Sequence, residues 1–400
     1  MKLRPVIGLL LATAAAATTA PAALAQDEAV ALDPALQARA DALSLEDLVN
    51  QAYAYPDRLP GGRFVLTPAL RAEAAAVRDR RSLLSFAERA LLLLADHHAI
   101  TGGSFSDSWA VVPSYADLWI ERVEGDYRIT AVRANSPAAA AGIVPGMSLL
   151  AVSGTPVGAA VSAFWADLGA DPAAQDAAFA ARVLAAGRRD AERVLVVRDA
   201  SGRGREVRLP TLYQQRISGP LVESRSEGGA LVIRFGDSLG ESETIAAFDA
   251  AMASASPGQR VVLDLTNTPS GGNTTIARAI MGWFATSPTP YQMHFLPAEE
   301  RETGIARQWA EYVQPRPGKH HTGPVDVRVG RWTGSMGEGL ALGMAELGAC
   351  ISGGPMAGLL GAIYDHQVGT SDVVVKLPTE RLQSVGGAPR EAFVPQERCG

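Results

Sequence analysis

The sequence predicts a mixed α/β chain of several domains, and three observations predict it. Helical periodicity with capping residues runs from Asp33 to about Ala95. Strand alternation and a hairpin pattern occupy the stretch from about Pro113 to Leu212. From Gly228 onward, strand-like and helix-like runs alternate. The composition fits this: 400 residues, 47% hydrophobic and 20% charged, are too apolar for a disordered chain and long enough for two or three cores. A net charge of −6 with no basic run argues against nucleic acid as a partner, because phosphate binding needs a basic footprint. The chain has no internal repeat.

Residues 1–25 read as a secretory signal peptide. Lys2 and Arg4 form a positive start, Val6 to Ala17 an apolar stretch, and Ala23-Leu24-Ala25 a small-residue cleavage site before Gln26. Twelve apolar residues span about 18 Å, too short for a hydrocarbon core of about 30 Å. Cleavage leaves 34 basic against 42 acidic side chains, a net −8. No later stretch is long and apolar enough to span a membrane, so a soluble protein, exported to a periplasmic or extracellular compartment, is expected. Its two cysteines, Cys350 and Cys399, would meet an oxidising compartment; they are read equally well as a disulfide or as two free thiols. No CxxC or HExxH pattern exists, so no metal site is expected.

The elements follow in order. In the helical segment, Ser44 followed by Asp47 resembles an N-cap. Thr67-Pro68 supplies a cap with proline in the first turn, and Ser85 with Glu88 forms a capping box for a third helix. That helix runs into Asp96-His97-His98 and the turn Thr101-Gly102-Gly103, which delivers two histidines to a loop. Next, Tyr127–Val132 alternates as a strand, and Arg193–Arg198 with Arg205–Leu209 forms a hairpin around Ser201-Gly202. In the last segment, strands are expected at Ala230–Phe235, Arg260–Leu265, Tyr291–Phe295, Val325–Val329 and Ala349–Ser352. Helices are expected at Glu243–Ala255, Thr274–Ala285 and Met336–Leu347.

The chemistry concentrates at Gly330-Arg-Trp-Thr-Gly-Ser-Met-Gly-Glu-Gly339. A strand enters, Ser335 sits at a glycine-flanked turn, and a helix of small residues follows. A serine there exposes its Oγ, and the next backbone N–H, that of Met336, points at a developing oxyanion. The general nucleophile elbow has glycine two residues before the serine, where this chain has Thr333; the plain alternative is a serine that only caps the helix. Glu338, in the first turn, reads as a carboxylate favoured by the helix dipole.

Two further segments carry a resemblance. Asn135–Pro156, with a short helix ending at Gly142, the turn Pro145-Gly146 and a strand ending at Ser153-Gly154, resembles the core of a PDZ domain. Asp264-Leu-Thr-Asn-Thr-Pro-Ser-Gly-Gly272 resembles the D-L-R-x-N-P-G-G loop of the tail-specific (C-terminal processing) protease and tricorn-core family of serine peptidases, with Thr266, Thr268 and Ser270 departing from it. The order of parts covers nearly the whole mature chain. The resemblance implies a crotonase-like, ClpP-like α/β catalytic domain over 213–400. It also implies an inserted PDZ-like β domain over 113–212 and a helical N-terminal domain over 26–112 that carries the catalytic histidine. Gly271 or Gly272 would then supply an oxyanion donor beside Met336.

The family's processing branch is similar to a Ser–Lys dyad, but Leu359 stands where that lysine would be. The mature chain's two lysines, Lys319 and Lys376, fit the position poorly. The tricorn-like branch is similar to a Ser–His arrangement, and Asp96-His97-His98 matches it best at His98, with His97 second. A histidine is the natural base near neutral pH. Glu391 is the expected third member, with Glu380 the other candidate; His320-His321 is read as surface. The resemblance implies an exported serine endopeptidase acting on peptide or unfolded-protein substrates without metal or cofactor. The alternative is a non-catalytic peptide- or ligand-binding protein on the same fold.

Overall fold

A computed structural model describes residues 33–399. The signal peptide expected over 1–25 and its cleavage site before Gln26 lie outside the described residues. The described chain is a mixed α/β structure with three sheets, and no described helix is long and apolar enough to cross a membrane.

The chain begins with helix Pro34–Ala52. Ser44 lies inside it, not at its start, and its Oγ donates back to the Asp41 carbonyl at 2.8 Å, a bond that a mid-helix serine makes readily. Thr67 caps helix Pro68–Ala76 as expected, accepting from Leu70 N at 3.2 Å. The third helix, Arg80–Leu91, starts earlier than Ser85 because Asp79 accepts from Ser82 N at 2.8 Å and caps it there. Glu88 faces away from the cap and accepts from Ser108 Oγ at 2.7 Å.

Six strands between Leu118 and Leu209 form an antiparallel sheet, including the expected hairpin of Arg193–Arg198 with Gly204–Leu209. Helices Val157–Asp167 and Ala177–Ala186, beyond the expected elements, accompany it. One buried ion pair fixes its base: Asp117 accepts from Arg193 Nη1 at 2.5 Å and Nη2 at 3.0 Å, and from Ala138 N at 3.0 Å.

The second sheet has the order Cys350–Gly353, Val325–Val329, Val261–Asp264, Ala230–Phe235, Val222–Glu227. All its pairs are parallel except the last. Its central strands are buried on both faces, which is why they read as continuous apolar runs. Helix Met336–Glu346 is buried all round from Met336 to Met344 and is packed against strand Thr289–Phe295 and helix Thr274–Met281. The third sheet is antiparallel and built on the long strand Val374–Gln383. Ile100–Thr101, from the N-terminal segment, adds to that strand opposite Lys376 and Val375. Cys350 and Cys399 form a disulfide, so the C-terminal segment is tied to the edge of the parallel sheet. There Gln396 N donates to Ile351 O and Gly353 N to Gln396 O, both at 2.9 Å.

Truncating Asp117 to alanine strands the Arg193 guanidinium, whose side chain is 2% exposed, without its counter-charge. Asp117→Ala is therefore expected to lower stability by about 3–5 kcal/mol in urea unfolding. A loss under about 1 kcal/mol would show that water or another carboxylate reaches Arg193.

Candidate active site

Ser335 sits between strand Val325–Val329 and helix Met336–Glu346 with φ 51° and ψ −115°. Side chains rarely adopt this conformation, which costs about 1–3 kcal/mol, so the surroundings must impose it. They do so by lacing the serine turn to the loop after strand Val261–Asp264. Thr268 N donates to Trp332 O at 2.8 Å, Gly334 N to Thr268 O at 3.2 Å, and Thr333 Oγ1 to Leu265 O at 2.8 Å. A side chain at Gly334 would place its Cβ 2.5 Å from Pro269 O. At Gly271, where φ is 67°, a Cβ would come 2.4 Å from Ser335 Cβ and 2.8 Å from Met336 N. Both glycines are thus required by close approach of the two loops.

The donors around the serine divide cleanly. Gly271 N is engaged with Thr268 O at 3.2 Å. Met336 N, the first amide of its helix, and Gly272 N have no acceptor among the described residues. Both loops also touch the six-stranded unit: Trp332 Nε1 donates to Ala116 O at 2.8 Å and Arg133 Nε to Asn267 Oδ1 at 2.9 Å.

Glu338 does more than face the helix dipole. It is fully buried and accepts three backbone bonds, from Ser335 N at 2.8 Å, Gly358 N at 2.8 Å and Leu359 N at 3.1 Å. Burial nevertheless dominates and pushes its carboxyl up to about 7, opposed by the Arg390 charge and by these bonds. The segment from Gly358 to Gly361 is thereby strapped to the nucleophile turn.

His98 joins the same strap from the other side. Its Nδ1 lies 2.6 Å from Leu360 O, and since a carbonyl only accepts, Nδ1 carries the proton and Nε2 keeps its lone pair. Asp96 Oδ1 accepts from His98 N at 2.9 Å, and Asp96 Oδ2 from Tyr53 OH at 2.9 Å, which holds the turn. Burial is the main cause that lowers the His98 imidazole to about 4; the Leu360 bond opposes it and the Arg390 charge reinforces it. His98 and Ser335 make no direct hydrogen bond. Leu360, Leu359 and Glu338 link them.

Glu391 lies in the short turn Arg390–Ala392. Its Oε2 is buried without a hydrogen-bond partner, as is the Tyr55 hydroxyl. Its charge helps raise Tyr55 and Asp96, although burial is the larger cause for both. Its neighbour Arg390 is 2% exposed and donates to Leu359 O at 2.8 Å and Gly361 O at 3.0 Å. The C-terminal turn thus closes on the same strap. Glu380 belongs elsewhere: it accepts from Tyr364 OH, and its Oε2 lies 2.7 Å from His294 Nδ1.

The remaining candidates fall outside the site. His97 Nε2 accepts from Arg182 Nε at 2.9 Å, and its ring stacks on Phe179. Lys319 pairs with Asp249 at 3.4 Å and Lys376 with Asp365 at 2.6 Å. Leu359 presents its Cδ1 to Gly334, an apolar group beside the serine turn. His321 Nε2 donates to Gln259 O at 2.8 Å. Sequence reasoning did not find Tyr53, Tyr55 or Arg390, which have no local pattern and converge only through the fold.

No protein-family model and no curated protein match the sequence. Solved structures do. The photosystem II D1 C-terminal processing protease superposes with a TM-score of 0.54 at 15% identity, covering 90% of this chain and 92% of that one. Mature CPAF complexed with lactacystin gives 0.52 at 14% identity over 91% and 93%. The s499a mutant of CPAF gives 0.51 at 14% over 91% of each chain. At these identities the likeness concerns the path of the backbone, and it extends over nearly all of both chains. The fold of this chain is that of the tail-specific, or C-terminal processing, proteases.

Proposed function

We propose that this chain is an exported serine endopeptidase of the tail-specific type, with a crotonase-like catalytic domain and a PDZ-like module for holding peptide. The observation that carries the reading is the strained Ser335 at a helix start, beside two unengaged amides, with His98 in the tautomer that presents Nε2 as a base. Ser335 Oγ attacks the peptide carbonyl while His98 Nε2 takes its proton. The N–H groups of Gly272 and Met336 receive the oxyanion. Collapse breaks the C–N bond, the amine leaves with the proton from His98, and water resolves the acyl-enzyme by the same route. Glu391 supplies negative charge beside Tyr55 and beside Asp96, and Asp96 together with Tyr53 fixes the His98 turn. Substrate binding is expected to bring His98 and Ser335 within hydrogen-bond reach, as free enzymes often hold such pairs apart. The disulfide supports export, and the mature N-terminus is expected at Gln26, read by intact mass.

On unfolded casein, Ser335→Ala is expected to lower kcat by on the order of 10⁶, and His98→Ala nearly as much. Lys319→Ala and Lys376→Ala should be close to wild type. A serine-directed phosphonate should label Ser335; absence of labelling together with absence of cleavage would return the chain to the peptide-binding alternative.

The pH profile discriminates further. A protonated Nε2 cannot accept, so kcat/KM falls as pH drops through the His98 value. With burial holding that value near 4, activity should persist well below the ordinary histidine range around ~6.5. An acid limb centred at or above ~6.5 in the wild type would mean that another group limits the reaction.

A further inference from the structure

Beyond the peptidase reading and independent of it, the chain holds a cavity apart from the serine turn. It holds about 560 Å³ between helix Arg80–Leu91, the segment from Asp96 to Val112, and helix Ala177–Ala186, and neither Ser335 nor His98 lines it. That volume suits a small organic ligand, for which sites run from about 300 to 1,000 Å³.

Its charge pattern is unusual for this chain. Arg78, Arg81, Arg188 and Arg189 all line the cavity, and none forms an ion pair with a carboxylate among the described residues. The wall carries five guanidiniums, those four and the paired Arg89, against the four carboxylates of Asp79, Glu88, Asp96 and Asp107. Of the acids on the same wall, Asp107 and Glu88 act on Arg188 through charge without a direct ion pair, and most are also hydrogen-bonded. Asp79 caps a helix, Glu88 accepts from Ser108, and Asp96 holds Tyr53 and the His98 amide; Asp107 is the one carboxylate without such a role.

The guanidiniums are also held in place. Arg188 lies 3.9 Å from the centre of the Trp109 ring, Arg81 lies 4.7 Å from that of Phe105, and Arg189 donates to Trp109 O at 3.4 Å. Stacked arginines present flat forks of N–H donors over apolar surface. A third feature lies on the wall itself. Because His97 Nε2 accepts from Arg182, its Nδ1 carries the proton, and that N–H has no acceptor among the described residues. The opposing wall, with Leu91, Phe179 and Val183, is apolar.

We propose that this cavity is a binding site for a small amphipathic anion, an acidic head on an aromatic or aliphatic body. The head is received by Arg81, Arg188 and Arg189, and the body lies against Trp109 and Phe179.

The full-length mature protein would be titrated with 1-anilinonaphthalene-8-sulfonate, followed by fluorescence. Saturable binding of one dye per chain is expected. Arg81→Gln and Arg188→Gln should each weaken it about tenfold, the loss of one charge-assisted contact. Ser85→Trp, which fills the cavity, should abolish it, while Arg208→Gln, on the six-stranded sheet, should leave it unchanged. Inorganic sulfate at the same concentration should fail to displace the dye. No saturable binding, equal binding by the arginine variants with unchanged melting temperatures, or displacement by sulfate alone would each overturn the proposal. Dye binding is read without any substrate, so its failure is separate from a failure of the peptidase reading.

Discussion

One buried carboxylate organises the region around the serine. Glu338 takes the amide of Ser335 and the amides of Gly358 and Leu359 onto a single side chain. His98 and Arg390 are both positioned through that strap. Leu360 O receives the imidazole of His98, and the carbonyls of Leu359 and Gly361 receive the guanidinium of Arg390, next to Glu391. Burial makes ionisation of Glu338 costly, and its three N–H donors with the Arg390 charge offset much of that cost. A buried acid with this many backbone partners is an anchor for geometry, and its removal would release the serine turn and the strap together.

The histidine reaches this point by sheet pairing across a long stretch of chain. Two residues after His98, Ile100–Thr101 pairs with Lys376 and Val375, so the N-terminal helical segment is stitched to the sheet that borders helix Met336–Glu346. Asp96 and Tyr53 then hold the turn from beneath, in surroundings dry enough to raise Asp96 to about 6. The resulting imidazole is a weaker base than a free one, but it is neutral over a wide pH range and aligned by a single tautomer.

A second polar cluster engages Glu380, the less favoured of the two candidate glutamates. His294 contacts Glu380 and Glu311 and stacks on Trp309. Burial lowers its pKa, but the two carboxylates outweigh that and raise it to about 9. Glu380 is therefore engaged in a charged network in the third sheet. Both glutamates lie near the end of the chain, and the surroundings that distinguish them physically come from other segments: Tyr364 and His294 for Glu380, Tyr55 and Asp96 for Glu391.

The sequence by itself determined the periodic elements and the sharp turns. The strands Ala230–Phe235 and Val325–Val329 and the start of the helix after Ser335 are where apolar runs and glycines put them. The close approach of Gly271 and Gly334 to their neighbours likewise gives a reason for glycine at each. Helix starts in the N-terminal segment were less legible, because Ser44 and Ser85 are as capable of capping as Asp79 and only packing decides which is used. The resemblance favoured His98 over His97, but only the tertiary structure gives each its partners: His98 bonds to the strap, whereas His97 turns to Arg182 and Phe179. It also decided that Glu338 clamps three amides and that Gly272, not Gly271, keeps a free N–H. The physical reason is the same in each case. Local propensity is set by neighbours a few residues apart, while desolvation and hydrogen-bond partners also come from segments farther along the chain, 20 residues from Glu338 to Gly358 and 262 from His98 to Leu360.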